Sequence, residues 1–422
     1  MLSTIYLSQL MFNFLDIFKY AGFILLAFVI LMVMVTIHEY GHFVAGRKLG
    51  FKINEFSVGF GKALFQRTTK DGILVSIRLI PLGGYCAFEG EDEEDEKEGS
   101  FNAQKPWKRL IVQFMGAFFN FLSACVFSAI LLFFVGYTDR VQVTGVDVAN
   151  NPSISQIQEN DVIVAVNGVK TSVVHNRYFN NLIAQYGEGE EFNITVNRGG
   201  EVLEPITVKK VYYYAEKQTN AGVTEFVIGT NKYLVTKVEQ EGKNAYKITN
   251  LANSAEAINE NGIFTIDGVQ YQYLEASDSL ASLKLGVALQ MYKHNFFEAI
   301  GRAVPFTCEW AWECLILFGE LVTGQLGLQG VGGPITTISS IVELTMNSLL
   351  YILVLFPLIS VNLAVFNLLP IPALDGSRMV FTLIEWVRGK PINRKVEGYI
   401  HGVGLIVLFA LVIFLDLFNI FF

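Results

Sequence analysis

Residues 21–42 read AGFILLAFVILMVMVTIHEYGH. From Ala21 to Ile37 the run carries no charged residue, and about 20 apolar residues suffice for a helix to cross roughly 30 Å of hydrocarbon. The helix is expected to continue through the 40s, so the run delivers His38-Glu39-Tyr40-Gly41-His42 to its far end. Residues four apart share one face of a helix, so His38 and His42 can bind a single Zn2+. Glu39, one position beyond the first imidazole, can reach a water there and act as general base. Imidazole and carboxylate groups are costly inside a bilayer, which makes such a cluster a functional site. At the helical rise His38 lies about 25 Å from Ala21, placing the metal just inside one membrane edge.

Composition agrees with a membrane chain. Of 422 residues 52% are hydrophobic and only 17% charged, against about 25% charged in soluble proteins. The net charge of −8 offers no basic footprint for nucleic acid. Much of the negative charge sits in the run Glu89–Glu98, which reads as a solvated loop. Three further segments are long and apolar enough to span: Leu110–Val135, Leu349–Leu369 with Pro357 inside it, and Ile400–Phe422 with His401 and Asp416 as its polar groups. Asp416, near the outer end, is expected to reach water. Arg47, Lys48, Lys52, Lys105, Lys108 and Arg109 flank the first two spans, and Arg378, Arg388, Lys390, Arg394 and Lys395 precede the last. Basic residues mark the cytosolic side, so both loops are cytosolic. Ala303–Thr323, apolar but carrying Glu309, Glu313 and Glu320, then lies along the interface as an amphipathic helix. Residues 138–299 are polar, β-rich and extracytoplasmic. Within them IQENDVIVAVNGV (157–169) and INENGIFTIDGV (258–269) form a weak internal repeat.

A catalytic zinc needs a third protein ligand and an open position. His175 and His294 fall on the wrong side of the membrane. His401 and Asp375 both fall on the right side. Asp375 closes Asn367-Leu-Leu-Pro-Ile-Pro-Ala-Leu-Asp-Gly376, where two prolines end regular helix. Non-helical backbone at membrane depth survives only inside protein or beside a water-filled cavity. Residues 55–65 and 73–80 alternate as two strands around Arg67–Gly72. This cytosolic hairpin has an edge on which an unwound substrate segment could be held by backbone bonds. The cysteines Cys86, Cys125, Cys308 and Cys314 form no C-x-x-C pair, which leaves ribbon and redox readings without support.

HEYGH in the first span and NLLPIPALDG after the third resemble the site-2 protease family of intramembrane zinc metalloproteases, most nearly its bacterial sigma-E-regulating type. Gly59-Phe60-Gly61, Pro81–Tyr85, Gly332-Gly333-Pro334 and Ser360–Leu363 support the likeness, which covers roughly residues 21–136 and 296–422. It implies one Zn2+ held by His38, His42 and Asp375, with Glu39 as base. It further implies substrate contacts at Asn362, Asn367 and Gly59, Phe60 and Gly61. The implied fold is an α+β membrane protein: a four-span helical bundle, a membrane-associated β-hairpin and an extracytoplasmic PDZ-like β-rich domain. The corresponding divisions are 1–54 (first span), 55–109 (hairpin and acidic loop), 110–137 (second span), 138–211 (PDZ-like), 212–299 (second β module), 300–344 (interfacial helix region), 345–376 (third span) and 377–422 (loop and fourth span). The implied setting is a bacterial inner membrane, with single-span membrane proteins such as anti-sigma factors, or signal-peptide remnants, as substrates. Lipid surrounds the chain and nucleic acid plays no part. Ser377 stands where a second glycine is common, Ala117 replaces part of the usual Ala-Gly-Pro before Asn120, and no Gly-Leu-Gly-Phe loop is visible. Two other classes compete with a protease. One is an ion carrier or channel using the same His and Asp groups, although no pair of matching helical halves is present. The other is a membrane scaffold with a spent site.

Overall fold

The computed structural model describes residues 2–91, 99–220, 223–240, 243–325 and 332–421. Most of the acidic run, residues 92–98, lies outside them. The chain divides into a helical unit, 1–136 with 293–422, and a β unit, 137–292.

In the helical unit α1 (Leu2–Leu49) is followed by β1 (Ile53–Thr68), β2 (Leu74–Phe88) and α2 (Pro106–Phe134). After the β unit come α4 (Phe296–Thr323), α5 (Pro334–Asn347), α6 (Tyr351–Leu368), α7 (Asp375–Arg388) and α8 (Arg394–Phe421). Among the described residues four stretches are long and apolar enough to cross a membrane: Phe18–Leu49, Pro106–Phe134, Tyr351–Leu368 and Arg394–Asn419. They coincide with the four segments expected from sequence. Pro106 opens α2 at a position where its missing N–H costs nothing. α6 continues through Pro357 and stops at Leu368, ahead of Pro370 and Pro372.

α4 contains the helix expected at 303–323, and α5 follows it across the end of the region 300–344. Asn295 and Glu298 close a capping box at the start of α4, satisfying two otherwise orphaned N–H groups. α4 then runs along α2 and α6: Ser128 Oγ is 3.0 Å from Thr307 Oγ1, and Phe318 packs edge-on to Phe366. The stretch expected to be a loop before the last span contains α7. Asp416 does not reach water. It is 3% exposed, and its carboxylate caps α5, accepting from the Ile335 and Thr336 amides at 3.0 Å and the Thr336 hydroxyl at 2.8 Å. A buried carboxylate would otherwise carry a desolvation cost with nothing to offset it.

The hairpin is longer than its alternation suggested and doubles back on itself. Residues 63–68 pair with 74–78, while 55–58 lie against both 74–77 and 84–87. Inside the fold Arg78 bonds Ser57 Oγ (3.0 Å), Glu55 Oε1 (2.6 Å) and the Gly61 carbonyl (2.7 Å). Burial works against the Glu55 carboxylate, but the hydrogen bonds from Ser76 and Arg78 outweigh it and hold its pKa below the ordinary value.

In the β unit, one sheet contains β3 (Tyr137–Val146), β4 (Val162–Val166), β5 (Val169–Lys170), β6 (Glu191–Arg198), β7 (Glu201–Val202) and β8 (Ile206–Lys209). A short helix, α3 (Phe179–Ala184), accompanies it. β9 (Val211–Tyr214) pairs at the edge of a second sheet with β15 (Ile263–Ile266), β16 (Val269–Leu274) and β17 (Ser279–Lys284). A meander, β10–β14 (Glu216–Asn220, Val223–Ile228, Asn231–Gln240, Lys243–Asn250, Glu256–Asn259), makes the third. The last strand, β18 (Val287–Tyr292), returns to pair with β3, so the division drawn at 211/212 does not separate 287–292 from the first sheet. The two repeat segments share their turn: Asn167-Gly168 and Asp267-Gly268 both have positive φ at both positions, the type I′ geometry of tight hairpins.

Candidate metal centre

His38 and His42 sit on one face of α1, and Asp375 is the first residue of α7. The fold brings them together across 337 positions of sequence. His38 Nε2 lies 2.9 Å and His42 Nε2 3.2 Å from Asp375 Oδ2, and the two nitrogens are 3.2 Å apart. All three ligand atoms fall within 4.8 Å of one another, and among the described residues no other such group occurs. Ligands about 2.0–2.1 Å from a tetrahedral zinc stand roughly 3.3 Å apart, so this donor set fits the ion closely. The imidazoles are almost wholly buried and Asp375 is about one-fifth exposed, which leaves one open side.

Both rings are oriented from behind. His42 Nδ1 donates to the Val112 carbonyl at 2.7 Å. His38 Nδ1 faces the Asn120 side-chain amide at 3.2 Å, and Asn120 Oδ1 is buried with no partner among the described residues. Oxygen and nitrogen of such an amide are assigned from the network. Exchanging them lets Oδ1 accept the Nδ1 proton, as a ligating imidazole requires. Gly116 on α2 clears the space, because a Cβ there would stand 2.4 Å from His42 Nε2 and 2.8 Å from His38 Cε1.

Asp375 is placed by α7. Gly376 packs onto the end of α6, where a Cβ would meet the Leu369 carbonyl oxygen at 2.3 Å. Arg109 of α2, 1% exposed, pairs with Glu385, and Thr382 donates to Gln113 at 3.2 Å. These two bonds tie α7 to α2. Glu39 points to the hairpin, where its Oε2 accepts from the Cys86 amide at 3.0 Å. Burial first, then the Glu39 charge, raises the Cys86 thiol pKa, so the thiol stays protonated.

Other candidates are placed apart from this cluster. His401 is not among the clustered ligand atoms. Its Nδ1 accepts from the Ala373 amide at 3.1 Å. Asn362 accepts from the Cys314 thiol at 2.6 Å, and Asn367 is half-buried at the end of α6. Gly59 and Gly61 bend β1 with φ of 86° and 81°, and Phe60 stacks on Tyr85. Asn120 and Gly116 were not singled out from the sequence as site residues. The available signal was an amide in the middle of an uncharged span, where polar groups are costly.

The chain belongs to peptidase family M50, the site-2 protease family, whose model matches residues 26–411. It is a zinc metalloendopeptidase that acts within the membrane, and the carrier and scaffold readings fall away. Among its relatives is a candidate zinc metalloprotease of Pasteurella multocida, 30% identical over 96% of this chain and 98% of that one. The regulator of sigma E protease of Haemophilus influenzae is 26% identical over 92% and 96%. The regulator of sigma-E protease RseP of Escherichia coli is 26% identical over 93% and 96%.

Proposed function

We propose that His38, His42 and Asp375 hold the zinc and that Glu39 is the base for hydrolysis of a peptide bond in an unwound membrane-spanning segment. The convergence of three ligand atoms at 2.9–3.2 Å carries this reading. When bound, zinc supplies Lewis acidity to a carbonyl and to a water. Glu39 takes the proton of the attacking water and passes it to the leaving amine. Val112 and Asn120 keep the imidazole Nδ1 protons pointing away, so that both Nε2 lone pairs face the ion. The β1–β2 edge at residues 84–88 holds the unwound substrate extended, with Gly59, Phe60, Gly61, Asn362 and Asn367 lining its path.

The substrates are single-span membrane proteins, including anti-sigma factors, a reading supported by the sigma-E-regulating relatives. In the same reading the metal lies near the cytosolic side of a bacterial inner membrane. The β unit is extracytoplasmic and PDZ-like, and it bars untrimmed substrates. The test is Glu39→Gln in the purified chain. It should keep one zinc per chain and lose cleavage of a model membrane substrate, and undiminished cleavage would overturn the mechanism.

A further inference from the structure

His401 is half-buried and is not one of the clustered ligand residues. Its Nδ1 accepts the Ala373 N–H at 3.1 Å and lies 3.5 Å from Ser377 Oγ, which itself donates to the Leu374 carbonyl at 2.8 Å. Since Nδ1 accepts, the ring is the neutral tautomer with its proton on Nε2. Ala373 has φ of 78°, a left-handed conformation uncommon for any residue but glycine. Such a conformation persists only where its surroundings over-determine it. Here α8 supplies those surroundings. Three positions after His401, on the same face, Gly404 packs on the turn so closely that a Cβ would stand 2.1 Å from Pro372 Cβ. Phe381 of α7 closes the far side of the ring, edge-on at 5.5 Å.

We infer that His401 is a positioning residue: its Nδ1 lone pair fixes the Ala373–Leu374 turn and so holds Asp375 at the metal. The inference rests on the assignment of Asp375 as the third ligand. It replaces a direct role in the zinc shell with one through backbone geometry, two residues upstream of the carboxylate. The alternative role, through Nε2, makes the opposite prediction for two simple variants. Asn carries its Oδ1 where His carries Nδ1, and Gln carries its Oε1 where His carries Nε2.

The experiment is zinc affinity by chelator competition on the full-length chain in detergent, alongside cleavage rate and thermal unfolding. His401→Leu should weaken zinc binding roughly 10–100-fold, the range for outer-shell partners of metal ligands. His401→Asn should restore most of that loss, and His401→Gln should not. Ala373→Gly, which accepts a positive φ without strain, should shrink the His401→Leu defect in the double variant. Wild-type affinity in His401→Leu, or rescue by Gln in place of Asn, would overturn the inference. Asp375→Asn separates the two layers. If it binds zinc normally, the ligand assignment falls and takes this inference with it. If it loses zinc while His401→Leu keeps it, only the role of His401 falls.

Discussion

Gly116 in the helical unit and Gly168 in the β unit both exclude a side chain, for different reasons. At Gly168 a Cβ would meet nothing within 4 Å, and the constraint is φ of 76° in a tight turn. At Gly116 the backbone is helical and the constraint is the pair of imidazoles beside it. The first glycine serves the chain's own path. The second gives up roughly 1 kcal/mol of helix propensity so that α2 can pack directly against the two imidazoles of α1. Gly116 thus serves the approach of α2 to the metal-site imidazoles, whereas Gly168 serves a turn.

Three substitutions test that contrast, in descending order of effect. Gly116→Ala should lose zinc by more than the roughly 100-fold that an outer-shell change costs, and lose cleavage with it. The groups that must give way are imidazole rings rather than backbone, so thermal unfolding should change little. A chain that still binds zinc tightly would break the comparison. Asn120→Ala removes the acceptor behind His38 and should weaken zinc roughly 10–100-fold. Metal content at limiting zinc checks it. Gly168→Ala forces a Cβ into the left-handed region, at about 1–2 kcal/mol. That should appear in the unfolding of the β unit and leave zinc affinity untouched.

The parts of this arrangement that follow from local pattern were readable in advance. HEYGH places His38, Glu39 and His42 by helical spacing alone, and charge-free runs mark the four candidate spans. Asp375 could be narrowed only to a choice with His401, because nothing in the sequence sets distances across 337 positions. The fold brings Asp375 to the imidazoles and turns His401 toward the backbone of Ala373. Asn120, Gly116 and the Val112 carbonyl support the ligands from a different helix, and their pairing with α1 is tertiary. The folded-back hairpin was missed in part because alternation shows where strands run but not where one bends to pair twice. Asp416 was misread as water-facing because its partners are backbone amides 80 residues away, and those have no signature in a sequence.

The bond from the Cys86 amide to Glu39 has a consequence for anything that lies along that margin of the hairpin. Residues 84–87 pair on one side only among the described strands, and one of their outward amides is already occupied by Glu39. A peptide docking there would meet a ladder with a rung removed, directly beside Glu39. On the proposed reading, with Glu39 as base and this edge as the substrate's seat, the occupied Cys86 amide would limit the alignments such a peptide can adopt.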